Sequence, residues 1–320
     1  LLKKVKKNIT YLHKYQKLIK IKENQEKSDK LNDGNSQSLS KTTKNILNQH
    51  GIKLNKNLGQ NYLIDKNKRD QIIDFGNICK SDVILEVGSG IGTLTLELSK
   101  RAKEVIAIEQ DPSICNILSK RLRDNKIDNV KLINDDALNV DFPKFNKIIS
   151  NLPYQISSPI TFKFLNYDFD LAILMYQKEF ALRMNGKVGS KNYSRLSAIL
   201  YFKCEIEKLT DVSSESFIPK PKIDSSVIKL TPKEKIISDK DFETYSKFTK
   251  ALFQHRNKKI RNALIDSRHE FSNLDKKEIK EKINAIDSED LIDYLSKRVI
   301  TLKPEEILDL TRKLNPIFNY

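Results

Sequence analysis

The run Ile148-Ile149-Ser150-Asn151-Leu152-Pro153-Tyr154 places polar chemistry at the end of an apolar stretch. An Asn side-chain oxygen and a main-chain carbonyl, here that of Leu152, can accept two N–H bonds from one exocyclic amine. Pro153 stiffens the turn and aims that carbonyl. Tyr154 offers a ring on which a base can stack, a contact worth roughly 1–3 kcal/mol. The N6 amine of adenine suits such a pocket. Its lone pair is delocalised into the ring, so the amine must be oriented and its nitrogen allowed to pyramidalise. The base must first leave its stack, at a cost of about a few kcal/mol. Asn151, Leu152, Pro153 and Tyr154 are thus candidate catalytic residues. The competing reading is a strand-ending turn that happens to contain them.

A donor for such an amine is suggested upstream. Leu85-Glu86-Val87-Gly88-Ser89-Gly90-Ile91-Gly92 follows one strand pattern and precedes a helix pattern, Leu94 to Lys100. Glycines there allow a tight turn and close approach of a ligand to the main chain. Glu109 ends the next strand, where an acid can accept both ribose hydroxyls. The spacing is G-x-G-x-G, with an acid two residues ahead and Thr93 in place of a further glycine. That layout fits S-adenosylmethionine better than a dinucleotide, since there is no pyrophosphate to seat. Asp136, after a third strand, is placed to take the cofactor's adenine amine. A plain turn or helix cap is the alternative for Asp135-Asp136.

The elements that must hold these residues are legible in outline. A short helix spans Ser40 to His50, and Asp65 caps a second, Lys66 to Gly76. Apolar runs at Val83–Val87, Val105–Ile108, Val130–Ile133, Lys147–Ser150 and Leu171–Met175 alternate with helical patterns, including Ser113 to Asn125. That alternation predicts an α/β fold, a parallel sheet with helices on both faces. Glu205–Val212 and Ser226–Leu230 read as a late antiparallel pair closing the sheet. Beyond Pro232, Phe242, Tyr245, Phe248, Leu252 and Phe253 recur at helical spacing. Ser288-Glu289-Asp290 and Pro304-Glu305-Glu306 are helix starts. Three parts follow: a basic polar extension over 1–38, expected to be disordered; a catalytic domain over 39–233; and a small helical domain over 234–320.

The chain of 320 residues carries 58 Lys and Arg against 42 Asp and Glu, a formal charge of +16. That surplus points to a polyanionic partner. Arg256, Lys258, Lys259 and Arg261 cluster after an apolar helix face, and Lys220 and Lys222 share a loop; they are candidate RNA-binding residues that would position phosphates. A solvated basic face is the alternative. Cys79, Cys115 and Cys204 show no paired metal spacing, and no metal is expected. Their scatter fits a reducing compartment, taken as the cytoplasm. No apolar run approaches the roughly 20 residues that span a bilayer.

With these residues in hand, the sequence resembles the ribosomal RNA adenine N6,N6-dimethyltransferase family of the KsgA type, from about Lys56 to the C-terminus. Leu58-Gly59-Gln60-Asn61-Tyr62-Leu63 resembles the family's N-terminal cofactor lid, and Glu86-Val87-Gly88-Ser89-Gly90 its glycine motif. The resemblance implies cofactor contacts at Asn61, Leu63, Gly88, Glu109, Asp136 and Asn151. Met175 to Glu179 and Tyr193 to Ser197 resemble segments after the fifth strand. Phe217 to Val227 resembles the proline-rich loop before the last strand, and Leu252 to Asn262 the basic helix of the C-terminal domain. Tyr62 stands where the family usually has Phe, and the N-terminal extension has no family counterpart. The tail from Arg298 to Glu306 resembles archaeal members more than bacterial ones.

The resemblance implies a Rossmann-like, S-adenosylmethionine-dependent methyltransferase sheet. It implies dimethylation of two adjacent adenines in a hairpin loop near the 3′ end of 16S rRNA, on immature 30S particles; a monomer is expected. Three alternatives stand beside it. A large-subunit rRNA dimethylase of the antibiotic-resistance type usually reads Asn-Ile-Pro-Tyr at the pocket. A DNA adenine methyltransferase more often has Asp first and a separate target-recognition insert. A non-catalytic assembly or transcription factor would share the fold, but Glu109, Asp136, Asn151 and Tyr154 are intact.

Overall fold

A computed structural model describes residues 38–52 and 60–318. The expected N-terminal extension, apart from Ser38, and the Leu58-Gly59 part of the lid motif lie outside the described residues. The chain divides into two units, Leu1–Ile52 and Lys53–Tyr320. In the first, helix α1 (Leu39–Gln49) begins where the Ser38 side chain accepts the Lys41 N–H, satisfying one orphan donor of its first turn.

The second unit is built on a seven-stranded sheet. Its strands are β2 (Val83–Val87), β3 (Glu104–Glu109), β4 (Val130–Asn134), β5 (Lys147–Asn151), β6 (Leu171–Gln177), β7 (Cys204–Val212) and β9 (Ser225–Pro232). The order is β4-β3-β2-β5-β6-β9-β7. The first five strands in that order are mutually parallel, and β9 runs antiparallel to both β6 and β7. The expected closing pair is therefore present. A separate ribbon pairs β1 (Tyr62–Leu63) with β8 (Phe217–Ile218).

Strand period decides which residues go to which face. Leu85, Val87, Ile106, Ile108 and Ile148 join one core with Ile160 and Phe164 of α5 (Ser157–Phe164). Ile84, Val105, Ile149 and Ile173 join another. That second core takes Ile72 and Ile73 of α2 (Lys66–Phe75) and Leu98 of α3 (Thr95–Arg101). Helices cover both faces, as the alternation predicts. Asp65 caps α2 through the Lys68 N–H, and Asp111 caps α4 (Pro112–Asp124), which has proline in its first turn.

After β6 come α6 (Lys178–Met184) and α7 (Arg195–Lys203). A third core gathers α8 (Asp239–Gln254), α9 (Ile260–Asp266), α10 (Lys276–Asn284), α11 (Glu289–Ser296) and α12 (Pro304–Phe318), together with Ile199 and Phe202 of α7. The stretch from Leu252 to Asn262 is not one basic helix. Helix α8 stops at Gln254 because the next residues pair sideways instead. Ile260 N–H donates to Lys297 C=O, while Val299 and Ile300 N–H groups donate to Lys258 and Arg256 carbonyls. Tertiary pairing overrides helical continuation there; Arg256, Lys258 and Lys259 stand on a turn between two helices, and Arg261 lies in the first turn of α9. Among the described residues no helix is long and apolar enough to cross a membrane.

Candidate active site

Strand β2 sits at the switch point of the sheet, with β3 on one side and β5 on the other. In an open parallel sheet the crevice beyond the strand ends at such a point binds ligands. Gly88 follows β2 and Asn151 ends β5, so the glycine loop and the candidate adenine pocket face each other across it. Backbone pairing between β2 and β5 is recorded only at Ile84–Lys147 and Leu85–Ile148. Farther along, the Ser150 hydroxyl accepts the Val87 N–H and donates to the Val87 carbonyl, tying the strands where the ladder opens.

One cleft is lined by Asn61, Leu63, Gly88, Glu109, Asp136, Asn151, Leu152, Pro153 and Tyr154. Every candidate catalytic and cofactor residue therefore meets in one place. Gly88 adopts φ +75°, and a Cβ there would lie 2.8 Å from Pro153 Cδ and 2.9 Å from Cγ. The glycine requirement is thus set by the proline of the opposite loop as well as by backbone conformation. Gly90, at φ +56°, faces the buried Tyr62 ring, whose Cε1 would be 3.1 Å from a Cβ.

The Asn151 amide donates from Nδ2 to the Asn61 carbonyl at 3.3 Å. With Nδ2 so engaged, Oδ1 is the side chain's acceptor in a cleft-lining residue. Pairing of β5 with β6 ends at Asn151–Met175, so the Leu152 carbonyl lies beyond the ladder. Tyr154 is half-buried, and its hydroxyl is 2.6 Å from Ser225 Oγ. Burial raises the phenol pKa, against the effect of the Ser225 bond.

Glu109 uses both oxygens locally: Oε2 accepts Gly90 N–H at 2.8 Å and Oε1 accepts Asp111 N–H at 2.9 Å. Burial raises its pKa even though those backbone bonds favour the anion. Each oxygen keeps a lone pair for a hydroxyl donor. Asp136 Oδ1 accepts the Leu138 N–H at 2.9 Å, so this residue does build a turn as well as line the cleft.

Glu86 also lines the cleft, although it is not among the candidate site residues named above. It is 2% exposed, its Oε2 has no hydrogen-bond partner, and burial pushes its pKa up to about 8. Ser89 Oγ beside it is also buried without a partner. An acid inside the apolar strand Val-Ile-Leu-Glu-Val was the available signal, because a buried carboxyl demands a donor. Ser225, which anchors Tyr154, carried no such signal.

These observations fit S-adenosylmethionine. Glu109 presents acceptors for a ribose, Asp136 an acceptor for an amine, and the glycine loop close-approach backbone. The orphaned Glu86 oxygen and Ser89 hydroxyl suit the polar end of an amino-acid moiety.

The candidate RNA-binding residues are dispersed. Lys220 pairs with Glu215, and Lys222 is exposed. Arg256 Nη1 donates to the Lys191 and Tyr193 carbonyls at 2.8 and 3.1 Å. Lys258 pairs with Asp266 at 2.8 Å, Lys259 is exposed, and Arg261 donates to Asn284.

The model of the family described as ribosomal RNA adenine dimethylase matches residues 51–303. A protein of Methanosphaera stadtmanae named probable ribosomal RNA small subunit methyltransferase A is 49% identical over 269 residues. That match covers 84% of this chain and 96% of that protein. A protein of the same name from Methanothermobacter thermautotrophicus is 43% identical, covering 86% and 96%. The crystal structure of a dimethyladenosine transferase from Plasmodium falciparum superposes with a TM-score of 0.65 at 31% identity, covering 79% of this chain and 97% of that one. With the glycine loop and the Asn-Leu-Pro-Tyr pocket both inside the matched span, the chain belongs to the ribosomal RNA adenine dimethylase family.

Proposed function

We propose that this protein transfers methyl groups from S-adenosylmethionine to the N6 amines of two adjacent adenines in a hairpin loop near the 3′ end of small-subunit rRNA. The small-subunit methyltransferase names of the archaeal relatives support the substrate. The observation that supports the chemistry is the Asn151 carboxamide, whose Nδ2 is engaged by the Asn61 carbonyl, in a cleft that Leu152 also lines. In this reading Asn61, Leu63, Gly88, Glu109, Asp136 and Asn151 hold the cofactor, which when bound supplies an electrophilic methyl group. Asn151 Oδ1 and Leu152 C=O take the two N6 hydrogens and hold the lone pair toward the donor. The Tyr154 ring, with its hydroxyl fixed by Ser225, presents a face for the flipped base. After one methylation a single N–H remains, which one of the two acceptors can still orient.

The substrate is read here as an immature small subunit, engaged by one copy of the chain. Residues 39–233 are read as the methyltransferase part and 234–320 as the RNA-binding part, since α8 to α12 gather on one helical core, which Ile199 and Phe202 of α7 also join. Three free cysteines support a reducing, cytoplasmic setting. The decisive experiment is methyl transfer to small subunits lacking the modification, with the RNA digested to nucleosides. Dimethyladenosine from two adjacent sites is expected; methylation confined to large-subunit RNA overturns the reading.

A further inference from the structure

Tyr154 and Gln155 also line a second pocket, on the side facing helices α5, α6 and α7. Its other working residues are Ser157, Phe162, Phe180, Arg183 and Arg195. The chemistry of its wall is one-sided, since no Asp or Glu lines it. The Arg183 guanidinium carbon sits 5.5 Å from the Phe180 ring centre, and that of Arg195 4.8 Å from the Phe162 ring centre. A guanidinium over a ring uses its flat face there, while its N–H donors point outward in its own plane. Arg195 Nε is buried with no hydrogen-bond partner. Glu270 acts on Arg195 electrostatically but is already paired with Lys250 at 2.6 Å. Ser157, the first residue of α5, is 4% exposed, and its Oγ likewise has no partner.

Two cations in a wall that holds no carboxylate, a buried orphan N–H and a buried orphan hydroxyl together describe an anion site. The Phe162 and Phe180 rings line the same pocket and add apolar surface beside the cations. Because it shares Tyr154 and Gln155 with the adenine cleft, its occupant belongs to the strand that delivers the adenine. We propose that this pocket holds the nucleotide next to the target adenine, with the linking phosphate on Arg183 and Arg195. The proposal rests on the RNA-methylating reading above. It gives the enzyme a grip on the strand at the point where the base turns out, separate from the basic turn at 256–261.

The test compares the wild-type protein with Arg183→Ala, Arg183→Lys and Arg195→Gln. Arg183 is exposed, so its variants keep the fold. Methyl transfer to unmethylated small subunits and binding of a loop hairpin with two adjacent adenines are measured over a salt series. Arg183→Ala and Arg195→Gln should each weaken RNA binding about tenfold and lower the salt slope by about 0.7 to 1, with cofactor affinity unchanged. Arg183→Lys should keep most of the slope. A hairpin with a neutral methylphosphonate between the two adenines should bind wild type more weakly and Arg183→Ala scarcely more weakly still. Wild-type affinity and slope in both neutral variants overturn the proposal alone, as does an equal methylphosphonate penalty in wild type and variant. Weakened capture of a polyglutamate peptide with RNA binding intact assigns the pocket to an acidic protein segment and also overturns it. A wild-type protein that leaves small subunits unmethylated sinks the underlying reading instead.

Discussion

The Asn151 side chain is tethered through Nδ2 to the Asn61 backbone carbonyl, a residue ninety positions earlier in the chain. The bond engages the nitrogen end of the carboxamide, and it links the pocket to the segment entering β1. Replacing Asn151 by Ala removes the acceptor and should lower kcat by about a hundredfold or more, by analogy with loss of one oriented polar group at a reacting centre. RNA binding should persist. Asn151→Asp keeps an acceptor but sets an oxygen against the Asn61 carbonyl, so its rate should fall between wild type and Ala. Single-turnover methyl transfer decides; full activity in Asn151→Ala refutes the pocket.

Gly88→Ala tests the contact between the two loops. The substitution strains a φ of +75° and drives a Cβ to within 2.8 Å of Pro153. It should destabilise the protein by about 1–3 kcal/mol and slow transfer as well, because the displaced proline carries the Leu152 carbonyl with it. Adding Pro153→Ala removes the collision, so the double variant should be more stable than the sum of the two single changes. Additive losses in denaturant melts would mean that the loops are energetically independent.

Most of this site was legible because it is local. Glycine spacing, an acid at a strand end and Asn-Leu-Pro-Tyr after an apolar run each sit on one short segment. Strand periodicity then brings the segments to one edge of the sheet. What could not be read was non-local. The Asn61–Asn151 bond, the Ser225 anchor of Tyr154 and the Pro153 contact with Gly88 join segments far apart in sequence. The segment from Leu252 to Asn262 shows the same limit. Its composition continues a helix, but Lys297, Val299 and Ile300 take its backbone groups into a sideways pairing. Arg256 then turns inward to the Lys191 and Tyr193 carbonyls, a destination that a count of positive charges does not reveal.

Glu86 predicts a pH dependence. Its carboxyl is buried and its pKa rises from 4.5 in the unfolded chain to about 8 when folded. Between those values the folded protein holds a proton that the unfolded chain has lost, so stability falls as pH rises. Below about 4.5 and above about 8 this group adds no slope. The ligand-free protein should therefore lose thermal stability from pH 5 to pH 8, and Glu86→Gln should flatten that part of the curve. Equal slopes for the two proteins would show that Glu86 is ionised throughout.

The basic turn after α8 calls for its charges to be separated. Arg256 donates to one exposed and one partly buried carbonyl, so Arg256→Ala should cost about 1–3 kcal/mol of stability whatever the RNA does. Lys258 is tied only to Asp266 in a partly exposed pair, worth about 0–1 kcal/mol, and can leave it for a phosphate at little cost. Lys259 is exposed. Lys258→Ala with Lys259→Ala should leave the melting temperature nearly unchanged and reduce the salt slope of RNA binding by about one to two. Arg256→Ala alone should lower the melting temperature with a smaller change in slope. If the lysine pair leaves the slope untouched, the turn is a solvated surface, and the strand is held elsewhere on the protein.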